Sequence, residues 1–247
     1  MEEVQKELIK RLPRSLKEYY ICLDAAKEMK DILGPGQQVL RPATAQHLDE
    51  MFLLFKAGHE QRILAKAKSL SATRAVQKAV AKLRMFDSHF LQHVFEAIER
   101  EEVKKYDKAY YGIDDNSSAL PVQRQMHQVM RTASDIIKGE AARVAAGGQP
   151  MLQPGAAQIN ALLEDLTPKR ATQMNAKSEY NDRQEDLQKL AKEAKKVLRT
   201  VWAEVLSSFV NDPDAGSRRE KAEQWGVQYV HEKRKRKSRK TKREDEV

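Results

Sequence analysis

Apolar residues recur three or four positions apart over most of this chain, the period at which side chains share one face of an α-helix. Leu16, Tyr19, Leu23, Ala26, Met29 and Leu33 make the first stripe, with Ser15 placed to cap its start and Gly34-Pro35-Gly36 to end it. Ahead of it, residues 2–11 predict a short leading helix stopped by Pro13. After an extended connector through Pro42, Thr44 is the expected N-cap of a helix that carries Leu48, Phe52 and Phe55. A break at Ser69-Leu70-Ser71 would let Thr73 cap a further helix, with Leu83, Phe86, Phe90, Val94, Ala97 and Ile98 on its inner stripe.

Turn formers from Tyr110 to Ser118 predict a loop, and Pro121 then sits where a first helical residue belongs. The next stripe, Val122, Met126, Val129, Ala133, Ile136, Ile137 and Val144, ends at Gly147-Gly148 and Pro150. Gly139 interrupts it at a cost of about 1 kcal/mol relative to alanine, and marks either close packing or a tolerated flaw. Ile159, Leu162, Leu163 and Leu166 open another stripe, which meets Thr167-Pro168 as a cap and restart or as a kink. Beyond Pro168 neither Gly nor Pro intervenes before Val210, so a helix of about 65 Å is expected. It is apolar in its second half and polar from Asn175 to Gln184. A turn at Asp212-Pro213-Asp214-Ala215-Gly216, a short helix and a small extended piece at Val227 to Val230 complete the series. The predicted fold is all-α: an elongated bundle of long amphipathic antiparallel helices, residues 1–230, followed by a disordered basic tail, residues 231–247.

Charge changes this picture more than composition does. The net charge of +9 is concentrated in two places. Residues 231–247 hold nine Lys/Arg against Glu232, Glu244, Asp245 and Glu246, and residues 56–84 hold eight against Glu60 alone. The rest of the chain is slightly acidic. Lys233, Arg234, Lys235, Arg236, Lys237, Arg239, Lys240, Lys242 and Arg243 are the candidate nucleic-acid contacts, because each cation that neutralises a phosphate releases a condensed counterion; the same charges would attract an anionic membrane surface or an acidic protein, or serve only as a solubilising tail with no dedicated partner. Lys66, Arg74, Lys78 and Lys82 make a secondary stripe, either a phosphate contact, a solvated face, or a face neutralised by Glu96, Glu99, Glu101 and Glu102 from a neighbouring helix. No apolar run approaches the roughly 20 residues of a membrane span, and the N-terminus lacks the pattern of a secretory signal. With a single cysteine, Cys22, the expected location is the cytoplasm.

Other chemistry is thinly represented. His89 and His93, one helical turn apart with Glu96 beyond them, are the weak candidates for a metal; a hydrogen-bonded structural role is the expected one. No phosphate-binding glycine loop and no nucleophile elbow occurs, so no cofactor and no catalytic residue is nominated. Cys22 falls near an apolar stripe and is expected to be packed. Tyr106, Tyr110 and Tyr111, bounded by Lys104, Lys105 and Lys108, offer either base stacking or packing over a bundle end, with packing expected.

At Phe86-Asp87-Ser88-His89-Phe90-Leu91, Lys108-Ala109-Tyr110-Tyr111-Gly112-Ile113-Asp114, Lys138-Gly139-Glu140-Ala141-Ala142-Arg143-Val144-Ala145-Ala146-Gly147-Gly148 and Trp225-Gly226-Val227, the chain resembles uncharacterised helical proteins of Bacteroidetes-type bacteria. The resemblance implies a bacterial cytoplasmic protein and carries over no site. The functional expectation is a non-enzymatic helical interaction or scaffold protein that contacts DNA or RNA through its tail, with a homo-oligomer formed through the long C-terminal helix. The alternatives are a helical bundle acting at anionic membranes and a helical metal enzyme centred on His89 and His93.

Overall fold

The computed structural model describes residues 8–34 and 37–231, which are overwhelmingly helical. In chain order they form β1 (Leu8–Arg11), α1 (Leu16–Ile32), α2 (Pro42–Glu99), a 3₁₀ turn (Lys105–Tyr111), α3 (Met126–Ala145), α4 (Ala156–Ser208), α5 (Ala215–Gln224) and β2 (Gln228–His231). The described residues form two compact units, one from those up to Arg62 together with those from Arg183 onward, the other from Ile63–Asp182, and α2 and α4 contribute to both.

In the first unit the predicted leading helix is replaced, over its described part, by strand β1, paired antiparallel with β2 so that Ile9 faces Val230 and Lys10 faces Tyr229. A short isolated helix is marginal in water, whereas β2 satisfies the backbone of Leu8–Arg11 directly. Ser15 caps α1 as expected, its hydroxyl accepting the Glu18 N–H at 3.2 Å. Thr44 does not cap α2. Pro42 opens that helix, its fixed φ and missing N–H suiting the first turn. Glu204 of α4 does the capping: its carboxylate accepts from the Arg41 N–H at 2.9 Å, the Arg41 Nε at 2.7 Å and the Thr44 hydroxyl at 2.8 Å. Burial opposes ionisation of Glu204, but these donors outweigh it and hold the carboxyl below its ordinary range. With Gly58 packed against Leu187 and Leu190, the pairing runs down α4 as it runs up α2, so the helices are antiparallel. Leu23, Leu48, Phe55, Leu198 and Trp202 fill the core.

The second unit shows the same antiparallel pairing of α2 with α4: Lys68 meets Glu179 at 3.2 Å, and Thr73 accepts from Gln173 at 3.2 Å. No break occurs at Ser69-Leu70-Ser71 and Thr73 caps nothing, because the two serines cost a helix little and packing along α4 holds it continuous. Pro168 likewise lies inside α4, flanked by Thr167 and Thr172 hydroxyls that donate to the carbonyls four residues back. Pro121 does not start α3; Gln125 caps it instead, its N–H donating to the Gln128 side chain at 2.9 Å. Leu83, Phe90, Val94, Val129, Ala133, Ile136, Ile159 and Leu166 form the core.

Gly139 marks close packing. A Cβ there would stand 2.2 Å from the Tyr110 carbonyl oxygen, so the side-chain-free position is what lets the 3₁₀ turn lie on α3. Gly139→Ala is expected to destabilise the protein by about 1–3 kcal/mol despite alanine's better helix propensity, measured by denaturant unfolding.

Candidate functional site

Lys66, Arg74, Lys78 and Lys82 are all exposed on α2, and none forms an ion pair among the described residues. Steps of four residues drift by about 40° each, so these cations do not share a single line. Arg74, Lys78 and Lys82 fan over about 80° on the side opposite the buried Val76, Val80 and Leu83, while Lys66 lies a further 80° away. The acids Glu96, Glu99, Glu101 and Glu102 do not neutralise the row. Since α2 is unbroken, Glu96 stands about 21 Å beyond Lys82 on the same rod. Arg100 takes up Glu102 instead, through contacts of 3.1 Å. The nine tail cations, Lys233 to Arg243, lie outside the described residues.

His89 and His93 are exposed and form no hydrogen bond among the described residues, contrary to a structural hydrogen-bonded role. They project about 100–140° around α2 from the buried Val94. Glu96 lies 4.0 Å from the Arg100 guanidinium, and among the described residues no group of three or more His, Cys, Asp or Glu is gathered to hold a metal. Cys22 is packed: it is buried, its Sγ accepts from Gln228 at 3.3 Å, and burial pushes its thiol up to about 11.

The tyrosines divide. Tyr106 and Tyr110 are exposed, whereas Tyr111 is buried edge-on to Phe90. Its hydroxyl is dry, donating to Glu140 Oε2 at 2.5 Å and accepting from Arg143 Nε at 2.8 Å. Glu140 and Arg143, one turn apart on α3, close the network with contacts of 3.0 and 2.9 Å. Both are buried. Burial disfavours the Glu140 carboxylate, but the guanidinium, the Tyr111 hydroxyl and the Met151 N–H at 2.6 Å hold it below its ordinary range. Burial and the neighbouring carboxylate raise the Tyr111 phenol.

The same network positions the chain beyond α3. Gly147, at φ 98°, ends the helix in a turn whose N–H groups return to Val144 and Arg143 at 2.9 and 3.1 Å, and Arg143 Nη2 reaches the Gln149 carbonyl at 2.5 Å. The folded-back segment, the end of α2 and the 3₁₀ turn enclose a cleft of about 770 Å³. Arg100, Lys104, Tyr106, Arg143 and Leu152 are among its walls, and His93 lies at it.

Two features escaped sequence reasoning although the register carried them. Glu140 and Arg143 continue the stripe Val129, Ala133, Ile136 with steps of four and three, so a charged pair occupies core positions. Asp87 follows Leu83 and precedes Phe90, Leu91 and Val94 in the same way. It is fully buried, neither carboxyl oxygen has a partner among the described residues, and burial pushes it up to about 7. No family model, curated protein or solved structure matches the chain.

Proposed function

We propose that this is a helical interaction protein that contacts the phosphates of DNA or RNA through two basic features, the 231–247 segment and the Arg74, Lys78, Lys82 row. One observation supports the reading above all: the row faces away from the core, exposed and without ion pairs among the described residues, so its charge is available to a partner. A row cation that meets a phosphate releases a counterion, and the contact reads no sequence. The protein acts by binding, in the bacterial cytoplasm to which the resemblance points, and associates with further copies through α4, where Met174 is 63% exposed.

The test compares the full chain, a chain ending at residue 231 and the full chain with Arg74, Lys78 and Lys82 all changed to Gln, using a labelled 30-nucleotide single strand and a duplex. Each change is expected to weaken binding at least tenfold in low salt, for both probes alike. Binding that survives both changes contradicts the reading. Tight capture by anionic vesicles with no binding to either nucleic acid would favour the membrane surface instead; among the described residues no helix is long and apolar enough to cross one.

A further inference from the structure

We propose that the cleft beside Arg143 binds a small organic anion, a phosphate or carboxylate carried on an apolar or aromatic body. Arg143 is the first reason. Its side chain is only 4% exposed, and Glu140, Tyr111 and the Gln149 carbonyl use up its Nε and Nη2. Its Nη1 has no hydrogen-bond partner among the described residues, yet it is not among the buried polar atoms sealed from solvent. Arg143 lines the cleft, and its Nη1 carries two N–H groups that nothing among the described residues accepts, on a guanidinium held in place by its other bonds, which suits it to an oxyanion.

Gly148 packs directly against this end of the guanidinium, with no room for a side chain. A Cβ there would stand 2.7 Å from Arg143 Nη1. The formal charges around the cleft balance, so the ligand class follows from the unpaired donors. Glu140 cancels the formal charge of Arg143, so the guanidinium contributes direction more than field. Glu102 is engaged by Arg100, and Asp107 accepts from the Lys104 N–H at 3.3 Å. The side chain of Lys104 stays exposed, its Nζ 5.5 Å over the Tyr106 ring and without an ion pair among the described residues, so although Asp107 balances it in the formal count it is the cation free to turn toward a ligand. The apolar remainder of a ligand meets Met151 and Leu152, the latter 79% exposed at the wall. A volume of about 770 Å³ suits a small molecule rather than a bare ion.

The experiment titrates the full chain with phenyl phosphate and, separately, with benzoate, followed by calorimetry and amide chemical shifts. Saturable one-to-one binding of at least one probe is expected, with shifts centred on residues 102–106 and 147–152, and the tighter probe identifies the anion. Lys104→Gln, at an exposed position, should weaken it at least fivefold without changing the unfolding midpoint. Gly148→Ala should weaken it further by displacing Nη1, which a Cβ there would approach to 2.7 Å. The Arg74, Lys78, Lys82 to Gln variant should bind the probe as the unaltered chain does, which separates this site from the nucleic-acid row. No binding of either probe, unchanged affinity in Lys104→Gln, or loss of binding in the row variant overturns the proposal.

Discussion

Asp87→Asn is expected to make the protein more stable at pH 8 and to remove most of the decline in stability that the unaltered chain shows between about pH 4 and pH 7. The carboxyl is fully buried without a partner, and burial raises it from an ordinary 3.8 to about 7. Between those values the folded state holds a proton that the unfolded state has released, so stability falls as pH rises and levels off above pH 7. At 1.36 kcal/mol per pH unit, the loss is on the order of 4 kcal/mol. Asparagine keeps the volume and removes the titration, so the difference between the two proteins isolates this group. Denaturant unfolding of both at pH 4.5, 6 and 8 checks it; parallel curves would show that Asp87 has a counter-charge in solution.

Removing Glu140 should act in the opposite sense. Glu140→Ala leaves the Arg143 guanidinium buried beside Tyr111 with no counter-charge, and is expected to cost about 3–5 kcal/mol. Arg143→Met strands the carboxylate and should cost a similar amount. The double variant should cost clearly less than the sum, because its second change removes the charge that the first one stranded. Since Glu140 is held below its ordinary value, its contribution is present above the ordinary carboxylate range and is lost as pH falls through the folded value. Amide exchange at Met151, whose N–H donates to Glu140 at 2.6 Å, reports whether the folded-back segment opens when the network is cut. Additive losses with an unchanged Met151 amide would mean that the pair neither couples nor anchors the cleft.

The legible parts of the chain were those where one face met one core. Tyr19, Leu23 and Ala26 on α1, and Leu187, Ala194 and Val201 on α4, are buried in the spacing their sequence shows. Boundaries were read less well. Thr44 and Thr73 look like caps, but the cap of α2 comes from Glu204, 160 residues further on, and no local pattern reports such a partner. The β1 strand was missed for the same reason, since its hydrogen bonds are made by β2 at the other end of the described chain.

The site is hidden in the sequence because charged side chains usually lie at the surface. Glu140, Arg143 and Asp87 occupy stripe positions and were visible as such, but a charged residue in register reads as an amphipathic irregularity unless its partners are known. The glycines behaved differently. In the sequence Gly139 fits either close packing or a flaw, and the 2.2 Å at which a Cβ there would meet the Tyr110 carbonyl oxygen decides for packing. The drift of a four-residue spacing around the helix explains why Lys66 separates from Arg74, Lys78 and Lys82, a distinction that spacing alone did not draw.

The most direct test of the proposed phosphate contact is the slope of the logarithm of the binding constant against the logarithm of salt concentration, for a duplex probe between 50 and 200 mM. The full chain is predicted to give a steep negative slope, and changing Arg74, Lys78 and Lys82 to Gln should flatten it by about 0.9 for each phosphate those side chains neutralise. A slope that the row variant leaves unchanged, or affinity that does not respond to salt at all, would contradict the account.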